Sequence, residues 1–238
     1  MRLLLIFLFL SSTIFTLATE LADNSELYEG KEYRSAFADP KDTELPNVLL
    51  IGDSISIGYT VHVRKLLKGK ADVFRIKGNG KYSAFGLQNV EKWVSPRKYD
   101  VIHFNWGLWD LCYRNPKFKT QWHRDKENGK LTATLDEYQK NMKAIVGKLK
   151  KTGSKLIWCA TTPVPEYELG RIKGASLKYN NVAAEIMKMN AVKVNDLYSH
   201  ALKKIPAIQL KKGDVHFTKE GYRYLAEKVS SEILKSLP

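Results

Sequence analysis

Residues 47–59 read NVLLIGDSISIGY, and this segment is the strongest indication of the fold. Its first five residues are almost wholly apolar, which is typical of a strand buried on both faces of a parallel sheet. The chain then turns at Gly52-Asp53-Ser54 and continues toward a segment with helical spacing. A strand, a tight turn and a helix in this order predict an α/β sheet whose ligands gather at the carboxyl ends of the strands.

Further apolar runs alternate with amphipathic segments along the rest of the chain, which predicts a five-stranded parallel sheet in a single α/β domain over residues 46–238. With 44% hydrophobic and 27% charged residues, the chain is outside the disordered and collagen-like classes. We expect the stretch 112–132 to be a long polar and aromatic loop. The predicted strands cover 48–54, 72–78, 100–107, 155–163 and 192–198, and the predicted helices 59–67, 85–93, 134–151, 179–189 and 219–237.

The first residues, MRLLLIFLFLSSTIFTLATE, have the pattern of a secretory signal peptide that is cleaved after Ala18. The alternative is an uncleaved membrane anchor, but the apolar run over 3–17 is shorter than the roughly 20 residues of a spanning helix. We therefore predict a secreted or periplasmic protein with no transmembrane anchor after cleavage of residues 1–18. A polar leader follows at 19–45 and precedes the domain.

The chain is strongly basic, with 39 Lys and Arg against 25 Asp and Glu and a formal net charge of +14. This charge indicates either an attraction to acidic polymers or only lysine-rich, solvated helix faces. No helix-turn-helix, RRM or zinc-finger pattern accompanies it, so we predict no specific nucleic-acid partner. Cys112 and Cys159 lack metal-ligand spacing, so no metal is predicted. We favour two free or buried thiols for this pair over a disulfide.

Three residues point to nucleophilic catalysis. Ser54, at the junction of a strand and a helix, is a candidate nucleophile, although Gly-Asp-Ser is also an ordinary turn and helix cap. A serine hydroxyl needs a base, and a histidine needs a group that orients it. Near the other end of the chain, KKGDVHFTKEGY places Asp214 two residues before His216, in a loop that leads into the last helix. In a parallel sheet this loop can return to the same edge as Ser54.

Ester chemistry also needs donors for the negative charge that develops on the carbonyl oxygen. The backbone amide of Ser54 is the first predicted donor of this oxyanion hole. The turn KGNGKYS after the second strand offers the amide of Gly80, and FNWGLWDL after the third strand offers the side-chain amide of Asn105. The alternatives are that the glycines only make a turn and that Asn105 only ties down its own loop.

Together these four segments resemble the SGNH or GDSL hydrolase superfamily, whose members carry a serine, a glycine, an asparagine and an Asp/His block in this order. The resemblance covers residues 47–234 and is strongest in GDSISIGY and DVHFTKEGY. It implies a flavodoxin-like three-layer α/β/α sandwich and esterase or lipase chemistry without a metal or other cofactor. It also implies that Ser54 and His216 form the catalytic pair.

The sequence departs from the family pattern at two places. The third block usually reads Gly-x-Asn-Asp, but here Trp109 stands where the asparagine is expected, and Asn105 is the candidate replacement. The last block usually has its aspartate three residues before the histidine, but Gly213 is at that place and Asp214 is one residue nearer. Asp53 adjoins the nucleophile and is a poorer orienting group, so we assign it with Trp109 to substrate binding.

The predicted function is that of a secreted serine esterase that removes O-acyl groups, O-acetyl above all, from carbohydrate. Tryptophan and tyrosine near the site favour sugar rings, although Trp106 and Trp109 also fit a core role. The other aromatic candidates are Tyr113 and Trp122. The expected partner is a small-molecule or polysaccharide ester. The alternatives are a lysophospholipase or thioesterase of GDSL type, and a non-catalytic glycan-binding protein on the same fold.

Overall fold

The computed structural model describes residues 31–41, 43–117 and 123–238. The predicted signal peptide, residues 19–30 of the predicted leader and Trp122 lie outside these ranges. Within them, no helix has the length and apolar character that crossing a membrane requires.

A five-stranded sheet forms the centre of the protein, and every pair of neighbouring strands is parallel. Leu49 of the first strand lies between Phe74 on one side and Ile102 on the other, and all three are buried. The predicted five-stranded parallel sheet is therefore confirmed. Its strands are β1 (Asn47–Ile51), β2 (Asp72–Arg75), β3 (Val101–Phe104), β6 (Lys155–Cys159) and β7 (Lys193–Asn195). They lie side by side in the order β2-β1-β3-β6-β7.

Helices pack in two groups that flank the sheet, which gives the three-layer α/β/α sandwich. The helices are α1 (Lys31–Ala36), α2 (Ser54–Leu66), α3 (Ser83–Val94), α4 (Leu135–Lys150), α5 (Ala175–Met189), α6 (Leu197–Leu202) and α7 (Lys219–Leu234). In one group α2 packs against α1 and α7, and α6 packs against α7; in the other, α4 packs between α3 and α5.

Several elements differ from their predicted bounds for local reasons. Helix α2 begins five residues earlier than predicted, because the Asp53 carboxylate accepts the Ile55 N–H and caps the helix at the turn. The last strand ends at Asn195, because Asp196 caps helix α6 within the stretch predicted as strand. The predicted loop 112–132 contains a short antiparallel pair, β4 (Tyr113–Arg114) and β5 (Lys130–Leu131).

The described part of the leader lies against the domain. The Thr43 N–H and hydroxyl both donate to the Asp72 carboxylate, at 2.8 and 2.7 Å. Arg64 of α2 donates to the Ser35 carbonyl at 2.7 Å. These contacts fasten Thr43 to the start of β2 and Ser35 to helix α2.

Close packing between α2 and α7 brings together two segments that are far apart in the sequence. A Cβ on Gly58 would lie 2.2 Å from the ring of Tyr222, so only glycine lets the two helices approach this closely. Ser54 is the first residue of α2, and His216 lies just before the cap of α7 at Thr218. The helix pair therefore places both residues at the carboxyl edge of the sheet.

Candidate active site

Ser54, His216 and Asp214 form one hydrogen-bonded chain at this edge. Ser54 Oγ lies 2.8 Å from His216 Nε2, across 162 positions of sequence. On the other side of the ring, His216 Nδ1 lies 2.7 Å from Asp214 Oδ1. A serine hydroxyl, an imidazole and a carboxylate in this order are the arrangement that activates an oxygen nucleophile.

The Asp214 carboxylate is suited to orient the imidazole. Burial alone would raise the pKa of Asp214, but the hydrogen bond and charge of His216 outweigh it and lower this pKa to about 2. The same oxygen also accepts the His216 backbone N–H at 3.0 Å. Asp214 is thus ionised at neutral pH and contacts both the backbone and the ring of His216.

The loop around His216 is held by its own backbone. The Leu210 N–H donates to the His216 carbonyl at 3.0 Å, and the Asp214 N–H donates to the Lys211 carbonyl at 3.1 Å. Gly213 adopts a φ of +76°, and a Cβ there would lie 2.7 Å from the Tyr167 carbonyl oxygen. The glycine at this position lets the chain turn against residue 167 one residue before Asp214.

Gly80 lies against the serine turn, but its N–H is not directed to the site. This N–H donates to the Gly52 carbonyl at 2.9 Å. A Cβ on Gly80 would lie 2.8 Å from the same oxygen, so the close approach requires glycine. The structure therefore places Gly80 beside Ser54 and engages the amide that the sequence suggested as an oxyanion donor.

Asn105 follows β3, next to β1 in the sheet. Its Nδ2 donates to the Cys159 carbonyl at 2.6 Å and to Thr161 Oγ1 at 3.1 Å. Ser54, the first residue of α2, has a backbone N–H without an intrahelical acceptor. Of the three predicted donors, the amides of Gly80 and Asn105 are hydrogen-bonded within the protein, and the Ser54 N–H stands at the start of a helix.

The two predicted substrate-binding residues have different surroundings. Asp53 is only 2% exposed and caps Ile55, and burial raises the pKa of its carboxyl although the Ile55 N–H and nearby cations oppose this effect. Its side chain thus faces the interior. Trp109 is half-buried, and the Arg114 guanidinium lies 4.4 Å from the centre of one ring face. Trp106 is buried, and its indole N–H donates to the Gly80 carbonyl at 3.1 Å.

Sequence reasoning missed a group of buried cations near this site. Glu168 is fully buried and pairs with Arg124 at 2.7 Å and with Arg171 at 2.8 Å. Arg75 is 3% exposed and donates to backbone carbonyls of the serine turn. The signal for Arg75 was present in the sequence, since this charged residue stands between the apolar residues Phe74 and Ile76.

Both cysteines are buried free thiols, and burial raises the pKa of Cys159. In the described ranges, no three or more His, Cys, Asp or Glu side chains are grouped so that they could hold a metal ion.

No protein-family model matches the chain, and no curated protein sequence matches it. Solved structures do match. The acetyl xylan esterase AlAXEase has a TM-score of 0.63 and 22% identity over 79% of this chain and 99% of its own. A lipase/acylhydrolase from Enterococcus faecalis has a TM-score of 0.64 and 19% identity over 82% of this chain and 98% of its own. A GDSL-like lipase from Bacteroides thetaiotaomicron has a TM-score of 0.62 and 21% identity over 90% of this chain and 98% of its own. The chain therefore has the fold of the SGNH/GDSL hydrolases.

Proposed function

We propose that this protein is a serine esterase that hydrolyses O-acyl esters through an acyl-enzyme. The observation that carries the proposal is the chain of two short hydrogen bonds, 2.8 Å from Ser54 to His216 and 2.7 Å from His216 to Asp214. This arrangement orients one imidazole nitrogen toward the hydroxyl and the other toward a carboxylate, as general-base catalysis needs.

The steps follow from these contacts. His216 Nε2 takes the Ser54 proton as Oγ attacks the ester carbonyl carbon, and His216 then gives that proton to the departing alcohol. Water attacks the acyl-enzyme with His216 as base, which releases the acid and restores the serine. Asp214 stays ionised and stabilises the imidazolium in both steps.

We assign the stabilisation of the oxyanion to hydrogen bonds from the Ser54 N–H and the Asn105 side-chain amide. The amide of Asn105 takes part by exchanging its longer, 3.1 Å hydrogen bond to Thr161 for the substrate oxygen. Gly80, whose N–H is bound to the Gly52 carbonyl, has a positioning role in this proposal.

For the substrate we propose O-acetyl groups on carbohydrate. We also propose that the protein is secreted, directed by the predicted signal peptide. The similarity to a structure described as an acetyl xylan esterase supports this substrate, as does the half-buried Trp109 after β3. The net charge of +14 supports an attraction to acidic polymers in addition. The second candidate is a GDSL-type lipase, which the similarity to structures described as lipases favours.

The test compares the wild-type protein with Ser54→Ala and with the control Ser231→Ala, which removes a half-buried hydroxyl from helix α7. A fluorophosphonate probe should label wild type and Ser231→Ala but not Ser54→Ala. Turnover of a short aryl ester should fall by on the order of 10³ to 10⁶ only in Ser54→Ala. Full activity of Ser54→Ala would end the proposal.

Substrate class is tested in the same experiment with acetylated xylo-oligosaccharides, aryl esters of increasing acyl length and a lysophospholipid. A carbohydrate esterase should prefer the acetylated oligosaccharide and lose activity as the acyl chain grows. A preference for long acyl chains would support the lipase. Saccharide binding without probe labelling would instead support a glycan-binding protein that has no esterase activity.

A further inference from the structure

Arg75 is a buried cation in an unusual position. It ends strand β2 at the carboxyl edge of the sheet and is 3% exposed. A buried guanidinium is costly unless its donors are satisfied. The hydrogen bonds described for its two terminal nitrogens go mostly to backbone carbonyls of the two turns that border Ser54.

One terminal nitrogen of Arg75 binds the serine turn. Nη2 donates to the Gly52 carbonyl at 2.9 Å, to the Asp53 carbonyl at 3.2 Å and to Ser56 Oγ at 2.6 Å. The Ser56 hydroxyl in turn donates to the Asp53 carbonyl at 2.8 Å. The guanidinium and the Ser56 hydroxyl therefore meet at the same carbonyl oxygen.

The other terminal nitrogen binds the glycine turn. Nη1 donates to the Ile76 carbonyl at 3.0 Å and to the Gly78 carbonyl at 2.6 Å. Since the Gly80 N–H donates to the Gly52 carbonyl, that oxygen receives hydrogen bonds from both the glycine turn and Arg75. One side chain thus couples the two turns on which the proposed site is built.

The carbonyl of Asp53 belongs to the same peptide group as the N–H of Ser54. In a trans peptide the C=O and N–H bonds point in opposite directions, so a group that holds the carbonyl also sets the direction of the N–H. A cation on the carbonyl side also polarises the peptide and strengthens its N–H as a donor. The Ile57 N–H, at 3.1 Å, helps to hold this carbonyl but carries no net charge.

We propose that Arg75 is a positioning residue for the oxyanion hole, which it orders by holding the Asp53 carbonyl and tying the serine turn to the glycine turn. This inference rests on the proposed esterase function. It assigns Arg75 no contact with substrate. Its effect is on the Ser54 N–H, whose partner develops its charge only in the transition state, so its loss should lower kcat more than it raises KM.

The first variant is Arg75→Met, which keeps an extended side chain but has no hydrogen-bond donor. The second is Arg75→Lys, which keeps the charge but lacks the two terminal nitrogens that bind the two turns. Arg64→Met is the matched control. Arg64 also donates to backbone carbonyls, those of Val73 at 2.8 Å and Ser35 at 2.7 Å, but it lies in the last turn of the helix that Ser54 begins.

With a short aryl ester, we expect Arg75→Met to lower kcat by on the order of 10²-fold with KM changed less than threefold, which matches the loss of about one oxyanion donor. Arg75→Lys should fall between this variant and wild type. Affinity for a trifluoromethyl ketone that forms a tetrahedral adduct on Ser54 should fall by the same factor as kcat. Arg64→Met should keep wild-type kcat and analogue affinity, even where its melting temperature falls.

The inference is overturned if folded Arg75→Met keeps the wild-type kcat and the wild-type affinity for the trifluoromethyl ketone. Equal losses of kcat in the Arg75 and Arg64 variants would also overturn it, since these would reflect general loosening. If Arg75→Met does not fold, Arg75→Lys decides by the same two measurements. Failure of the esterase proposal is distinguishable, because the wild-type protein would then show no Ser54-dependent turnover at all.

Discussion

Asp214 and Asp110 are two aspartates from different parts of the chain that are almost equally buried, at 7% and 0% exposure. Asp214 lies beside His216, whose hydrogen bond and charge lower the carboxyl pKa to about 2 in spite of burial. Asp110 lies against the first turn of α3, where burial raises the pKa to about 7 although hydrogen bonds from Ser83 oppose this effect. Burial therefore does not set the acidity by itself.

The partners explain the difference. Asp110 Oδ1 accepts the Ser83 N–H at 2.8 Å and the Ser83 hydroxyl at 2.5 Å, both neutral donors. Its Oδ2 is buried without a hydrogen-bond partner in the described part of the chain. Asp214 contacts an imidazole that becomes a cation during the proposed reaction. The hydrogen bond and charge of His216 outweigh the burial of Asp214, whereas the two neutral donors of Ser83 do not outweigh the burial of Asp110.

The largest expected effect is on Asp214. Asp214→Asn should lower kcat by on the order of 10² to 10⁴, because an amide neither stabilises the imidazolium nor selects the tautomer that accepts the serine proton. Asp110→Asn is the matched comparison and should keep kcat within about fivefold. Steady-state kinetics on an aryl ester measures both. Equal losses in the two variants would remove the functional distinction between these carboxyls.

A smaller effect is expected from the titration of Asp110 on the free energy of unfolding. Its pKa in the folded protein is above the unfolded value of about 3.9, so the wild type should lose roughly 2–4 kcal/mol of unfolding free energy as pH rises from 4 to 7. Asp110→Asn should lack this loss and be the more stable protein at pH 8. Urea unfolding across this pH range checks it, and parallel pH curves for the two proteins would contradict it.

Asp214 should contribute in the opposite direction. Its folded pKa is lowered to about 2, so its stabilising contribution is present above about pH 4 and disappears as pH falls through 2.

The smallest expected effect concerns the hydroxyl that supports Asp110. Ser83→Ala removes the donor at 2.5 Å but keeps the backbone N–H at 2.8 Å. The pKa of Asp110 should then rise further, so the pH-dependent loss of stability extends to higher pH. Carboxyl carbon chemical shifts followed by NMR against pH measure this directly. An unchanged or lowered pKa would show that the hydroxyl does not favour the ionised form.

The fold and the positions of the candidate triad were largely predictable from local patterns. Apolar runs marked the strands, and Ser54 and His216 follow from turn chemistry at GDS and DVH. The limits of the elements were less predictable: the cap by Asp53 starts α2 early, and the cap by Asp196 ends the last strand early. Both caps depend on which backbone N–H a short carboxylate reaches, which spacing alone does not specify.

Local sequence patterns were sufficient to predict the order of the five sheet strands, the main helices between them and the side chains at the strand ends, because these depend on neighbours within a few positions. Three features could be seen only in the folded chain: the Gly80 amide donates to Gly52, Asp53 faces inward, and Arg75 reaches carbonyls 22 and 23 positions away. The acidity of Asp110 also belongs to this second group. Hydrogen-bond direction and desolvation depend on atoms that distant parts of the chain supply, and they exist only once the chain has folded.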